Sequence, residues 1–222
     1  SGGRMKRISG LMIAIVLSVT PAWAVDYCFN FRATPGFVTD TGGCVPVLDE
    51  AYPHSYSNGA TAGWEQTSTD GTRDRDNTVN PKLAGQNRAN FADTFREFRV
   101  DLPSSGSYDI RAAVGDPSYG YGTNNVNPYA LIKDTTTTLF TIVAGDTSIA
   151  AGEFYDATGV KRTSAADWVS NQAAKNLTFS TTILRLRLDA GTSPEHSPLA
   201  HLQVTTAGGG GANTQFFRRR MQ

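Results

Sequence analysis

Apolar and polar residues alternate with a period of two through much of residues 26–206, and no other feature of the sequence constrains the fold as strongly. Successive side chains of an extended strand point to opposite faces, so this pattern describes half-buried β-strands. Tyr27, Phe29 and Phe31 alternate with Cys28 and Asn30. Phe98, Val100 and Leu102 alternate, and Tyr108, Ile110, Ala112 and Val114 do so again after Pro103, Ser104, Ser105 and Gly106. These two runs predict a β-hairpin. Residues 129–133 and 137–143 predict a second strand pair around Asp134 and Thr135. Residues 182–189 place Leu184, Leu186 and Leu188 on one face and Arg185 and Arg187 on the other, and residues 199–205 read as a closing strand. A helical period is nearly missing: residues 164–175 hold one or two turns, with Ser164 as the cap. Short strands between turn signals predict a sandwich or barrel. There is no βαβ alternation, phosphate-cradling glycine loop or fixed-period repeat.

Both ends of the chain break this pattern. Residues 5–24 carry a basic start (Lys6, Arg7), an apolar run from Leu11 to Val19 and the small-x-small site Ala22, Trp23, Ala24. This is the pattern of a secretory signal peptide, and it predicts a mature chain starting at Val25. The apolar run is shorter than the roughly 20 residues a membrane-spanning helix needs, and no second run is longer. Three segments are therefore expected: a leader at 1–24, a β-sandwich domain at 25–206, and a glycine-rich linker and basic tail at 207–222. The tail holds Gly208 to Gly211, then Phe216, Phe217, Arg218, Arg219 and Arg220. It reads either as a disordered end or as a docking peptide for an acidic partner or for self-association.

Charge narrows the partners. The 222 residues carry 20 basic and 20 acidic side chains. Arg4, Lys6 and Arg7 fall in the leader, which leaves 17 basic against 20 acidic groups, or −3. Setting aside the three tail arginines leaves 14 against 20, or −6, for the sandwich. A nucleic-acid binder needs an excess of base, so nucleic acid is not an expected partner. An exported chain meets an oxidising compartment, outside the cell or in a periplasm, which predicts a Cys28–Cys44 disulfide. Closing such a 17-residue loop contributes about 3 kcal/mol. No histidine or third cysteine lies nearby in the sequence, which argues against a metal at these thiols.

Catalytic signatures are missing. There is no G-x-S-x-G elbow and no H-E-x-x-H motif. Gly145, Asp146, Thr147 and Ser148 resemble an esterase block only superficially, with no D-x-x-H partner downstream. His54 and His196 fall in polar loops and His201 in a strand. The chain is therefore expected to be non-catalytic, with no cofactor. Asp74 and Asp76 offer oxygen ligands of the kind Ca²⁺ takes, but Arg73 and Arg75 beside them favour ion pairs. Asp116 and Asp156 are further carboxylates near predicted strand ends.

Aromatic residues in polar loops are more informative. Tyr119 and Tyr121 sit among glycines, and Asn124, Asn125 and Asn127 follow them. Tyrosine rings stack on the apolar face of a sugar, while amides and carboxylates bond its hydroxyls. The candidate carbohydrate site comprises Tyr119, Tyr121 and Trp168 for stacking, with Asn124, Asn125 and Asp116 for hydrogen bonding. Trp64 is a further candidate platform, and for both Trp64 and Trp168 a place in the core is the simpler reading.

The stretch from Trp64 to Asp116 carries RDRD, NPKLAG and FREFRVDLPSSGSYDIRAAVGD. It resembles the galactose-binding-like, malectin-like β-sandwich domains found beside secreted polysaccharide-degrading enzymes and in exported or phage-associated proteins. Later stretches, FYDATGVKRTSAADWV, LTFSTTILRLRLDAG and SPLAHLQV, fit the same layout, so the resemblance covers roughly 26–206. It implies an all-β, jelly-roll-type antiparallel sandwich with at most one short helix. It implies a sugar-binding or structural role, because a fold alone does not fix function. Three functions follow: a secreted module binding a glycan or polysaccharide, a structural or adhesive subunit of an extracellular assembly, appendage or virion, and a small carbohydrate esterase or lyase.

Overall fold

The computed structural model describes residues 24–32, 44–66, 72–74, 85–90, 95–120, 126–144, 149–189 and 196–208. They form two packed sheets and one short helix, the expected all-β sandwich. The leader before residue 24, the tail beyond 208 and Asp76 lie outside the described residues.

Sheet I is built around β1 (Asp26–Phe31), β8 (Gly106–Gly115) and β15 (His196–Thr206). Strand β15 lies between β1 and β8 and pairs antiparallel with both. On one side β2 (Val45–Val47) pairs parallel with β1. On the other side β11 (Phe154–Asp156) and β12 (Lys161–Arg162) extend the sheet from β8. The start of β8 pairs with β13 (Lys175–Phe179), and the start of β15 pairs with β6 (Gly85–Asn90), which carries β5 (Thr72–Asp74). Sheet II runs β10 (Thr137–Ala144), β9 (Tyr129–Asp134), β14 (Ile183–Asp189), β7 (Phe95–Asp101), β4 (Thr61–Trp64) and β3 (His54–Ser55).

The alternation places the core as expected. Phe29 and Phe31 of β1, Ile110, Ala112 and Val114 of β8, and Leu202 and Val204 of β15 face Phe98 and Val100 of β7 and Leu184, Leu186 and Leu188 of β14. Phe29, Phe31, Trp64 and Phe98 meet edge to face, with centroids 5.0–5.7 Å apart. Each such contact adds about 0.5–1.5 kcal/mol beyond the buried area. Trp64 is therefore a core residue. The β9–β10 pair forms as expected, with Asp134 opposite Thr137. The helix α1 (Ala165–Asn171) also forms as expected, and Ser164 Oγ accepts from the Asp167 backbone N–H at 3.0 Å.

One expectation fails. The runs 98–102 and 108–114 are not a hairpin. Strand β7 bonds β4 and β14 in sheet II, whereas β8 bonds β11, β13 and β15 in sheet I. Residues 102–105 form an arch that carries the chain across the sandwich. Alternation reports which side chains face the core, and two strands facing each other across a core share the pattern of a hairpin. Leu102 plugs the arch, and its N–H donates to the Thr182 carbonyl at 2.8 Å. Tyr108 Oη donates to the Ser104 carbonyl at 2.8 Å, and Gly106 takes φ +147, which only glycine adopts readily.

A second arch at 180–182 joins β13 to β14. The Asp134 carboxylate clamps it, accepting from the Ser180 N–H at 2.7 Å, from Ser180 Oγ at 2.6 Å and from Thr181 Oγ1. Burial raises the Asp134 pKa, but these hydrogen bonds outweigh it and hold the carboxyl below the usual range.

Candidate functional site

The sequence placed the candidate site just after β8. There the described chain is packed rather than open. Asp116 is buried, and its carboxylate braces the loop that follows. Oδ1 accepts from the N–H groups of Ser118 at 2.8 Å and Tyr119 at 3.2 Å, and Oδ2 accepts from Gln86 Nε2 at 2.6 Å. This is how an aspartate commonly closes a turn on its own backbone. The Asp116 carbonyl accepts from the Gly152 N–H at 3.1 Å. Gly120 packs directly on the backbone of residues 149–151, where a Cβ would overlap the Ile149 carbonyl oxygen. Both ends of the 116–120 loop are thereby fixed.

Tyr119 is half-buried on this braced loop, its ring packed against the core cluster. Nearby, Val126 bridges to His196, and the Asn127 N–H donates to the His196 carbonyl at 2.9 Å. Ser197 Oγ exchanges hydrogen bonds with Tyr129, accepting from its N–H at 2.9 Å and donating to its carbonyl at 2.7 Å. Strand β15 thus holds the far end of the segment that begins with the tyrosines. Tyr121, Asn124 and Asn125 lie outside the described residues.

Trp168 does not join this site. It is fully buried, and its indole N–H donates to the Ala112 carbonyl at 3.0 Å. Phe154, Ala113 and Ala200 surround it, and His201 meets the ring edge-on at 5.3 Å. The expected stacking platform is instead the contact through which α1 covers the outer face of sheet I. A partly apolar ring on a short helix is stabilised more by burial than by exposure. Asp156 is buried too: it accepts from Thr158 and Val160 N–H groups and from Arg162, closing the turn between β11 and β12. Asp74 belongs to β5, but its side chain is outside the description, as is all of Asp76.

The outer face of sheet II carries an array that sequence reasoning missed. Arg185 donates twice to Glu65, at 2.7 and 2.8 Å, in a two-pronged pair. Lys133 Nζ donates to Glu97 at 2.5 Å, and Arg187 to Asp189 at 2.8 Å. Arg99 donates to Asp101 at 3.0 Å and covers the Tyr52 ring at 4.1 Å, while Arg187 covers Phe95 at 4.0 Å. The hydrogen bonds from Arg185, opposed by burial, hold the Glu65 carboxyl below its ordinary range. The signal was present in FREFRVD and ILRLRLD, whose outward positions carry opposite charges. Only the antiparallel β7–β14 register shows that these positions face one another.

The histidines are placed separately. His54 packs edge-on against Tyr56 at 4.5 Å, and His201 Nδ1 lies 2.8 Å from Asn30 Oδ1 inside the outer layer of sheet I. The Cys28–Cys44 disulfide forms, and it ties β1 to the entry of β2. Among the described residues, no helix is long and apolar enough to cross a membrane.

No protein-family model matches the sequence, and no curated protein is similar to it. Among solved structures, the chain is similar to protein YxiM from Bacillus subtilis, with 14% identity, a TM-score of 0.41, and coverage of 82% of this chain and 40% of that one. It is also similar to a chain in the crystal structure of the plant peptide RALF23 in complex with FER and LLG2, with 11% identity, a TM-score of 0.42, and coverage of 82% and 39%. The chain thus spans about 40% of the length of these solved chains. Scores this low do not establish a shared topology, and the fold assignment rests on the two sheets themselves.

Proposed function

We propose that the chain is an exported, non-catalytic β-sandwich module that binds a neutral, hydroxylated ligand of the carbohydrate class at the end of the sandwich where residues 116–127 leave β8. The observation that carries this reading is the bracing of the 116–120 loop. The buried Asp116 carboxylate and the close packing of Gly120 hold the Tyr119 backbone in one conformation. A preorganised aromatic side chain loses little entropy when a ligand stacks on it. Asp116 supports the site as its brace; its two oxygens are turned to Gln86 and to the loop backbone. Tyr121, Asn124 and Asn125, which follow in sequence, are one further ring and two amides of the type sugar sites use. The disulfide suits an oxidising compartment. The resemblance to galactose-binding-like domains implies a sugar-binding or structural role and is in keeping with this ligand class.

Affinity electrophoresis of the full chain through gels containing neutral plant, fungal or bacterial polysaccharides tests this. At least one polymer is expected to retard the chain, with an affinity between millimolar and micromolar, about −4 to −8 kcal/mol. Tyr119→Ala should migrate as though no polymer were present. A full panel without retardation of the wild type contradicts the proposal.

A second reading, a structural subunit of an extracellular assembly, draws on the paired charges of sheet II. Side chains that are already ordered and neutralised dock against a copy at low cost. Sedimentation of the full chain across a hundredfold concentration range separates the two readings: a monomer throughout removes the second.

A further inference from the structure

Phe29 and Phe31 turn into the core, which sends Cys28 and Asn30 to the outer face of sheet I. Asn30 stands opposite His201 on β15, and Cys28 stands opposite Gln203. The parallel pairing of β1 and β2 brings Cys44, just before β2, to the same place. Two sulfurs and a ring nitrogen of His201 consequently lie within 4.8 Å of one another. All three residues are buried: Cys28 is 2% exposed, Cys44 5% and His201 0%. No local pattern brings these residues together, since 157 positions separate Cys44 from His201.

Thiolate and neutral imidazole are the ligands preferred by soft or borderline divalent cations such as Zn²⁺. A tetrahedral centre with such ligands places their atoms roughly 3–4 Å apart, within reach of this cluster once the sulfurs part. The Asn30 amide oxygen, 2.8 Å from Nδ1 of His201, holds the ring as outer partners hold metal-bound histidines. Trp168 and Phe154 lie in the same outer layer. A dry surrounding of this kind limits exchange with water.

We propose that Cys28, Cys44 and His201 form a Zn²⁺-class metal site in the reduced chain, and that metal and disulfide are alternative occupants of the same place. A dithiol supplies two electrons and two protons to the Cys28–Cys44 bond; the S–S bond breaks, two thiols form, and the dithiol leaves as its own disulfide. Metal binding then displaces two protons, one from each thiol, and the cation bonds both sulfurs and the imidazole nitrogen. The clasp between β1 and β2 persists in both redox states. This inference is independent of the carbohydrate reading.

The test uses the full chain, reduced with dithiothreitol, desalted without oxygen and titrated with Co²⁺. One equivalent is expected to bind, with a thiolate-to-cobalt charge-transfer absorption, and Zn²⁺ should abolish that absorption by displacement. The oxidised chain should show none. His201→Ala, which keeps both thiols, should bind at least tenfold more weakly. His201→Gln serves if the alanine variant does not fold, and near-ultraviolet circular dichroism follows folding throughout. Three outcomes overturn the proposal: a folded, reduced chain with no charge-transfer band, a histidine variant that binds as tightly as the wild type, or a reduced chain that unfolds before it takes up cobalt.

Discussion

The outer faces of the two sheets begin from the same period-two alternation and are finished in opposite ways. Under helix α1 the outward positions of sheet I are small or aromatic: Ala113, Ala200 and His201. Helix α1 lays Trp168 over them, and a second small core results. On sheet II the outward positions are charged: Lys133 and Arg185 reach Glu97 across the strands, Arg185 and Arg99 reach Glu65, and Arg187 pairs with Asp189 along its own strand. Covering a face demands shape complementarity from elsewhere in the chain. Pairing charges demands only register. The first way is worth more in water and depends on one large side chain; the second spreads small, salt-sensitive contributions over many residues.

The largest expected effect is therefore on sheet I. Trp168→Ala removes a fully buried ring and the indole N–H that donates to the Ala112 carbonyl. Urea denaturation should show a loss of about 3–5 kcal/mol, little changed by salt. A loss under about 1 kcal/mol means that the face is not closed by this ring. On sheet II, a double-mutant cycle of Glu65→Gln and Arg185→Gln should give a coupling of about 1 kcal/mol or less that shrinks between 0.05 and about 1 M salt. A coupling indifferent to salt would mean that the two-pronged geometry, not charge, is what matters.

Acid separates the faces as well. Glu65 is held below its ordinary pKa by the hydrogen bonds from Arg185, against the cost of burial. A lowered folded pKa contributes stability above the unfolded value, about 4.3, and that contribution is lost as pH falls through the folded value. Stability measured from about pH 5 downward should decline, and Glu65→Gln should flatten part of the decline while Trp168→Phe leaves its shape unchanged. The smallest effect belongs to Arg187→Ala. Its pairing with Asp189 lies two residues along the same strand, and the change should stay within about 0.5 kcal/mol.

Much of the fold was legible because local pattern and tertiary role coincide. The β9–β10 pair closes through two residues, so the sequence neighbours are also the hydrogen-bonded neighbours. Leu184, Leu186 and Leu188 report an inward face whichever strands flank them. The arch at 102–105 was not legible, because alternation reports a face and not a neighbour. Trp168 reads as a platform in the sequence because its burial depends on β8, more than fifty residues earlier in the chain. Asp116 was found from its place at a strand end, but its part as a brace appears only once Gln86 and the loop amides surround it. The meeting of His201 with the two cysteines is set by the β1–β15 register, which no local pattern encodes.

The central claim is that the ligand sits at the braced end of the sandwich and not on the charged face of sheet II. Hydroxyl-radical footprinting of the full chain, with and without a polysaccharide that retards it, tests this most directly. The account predicts protection of Tyr119, with Tyr52 and Phe95 on sheet II unchanged. Protection of Tyr52 and Phe95 with Tyr119 still fully reactive contradicts it and moves the site to the face with the paired charges.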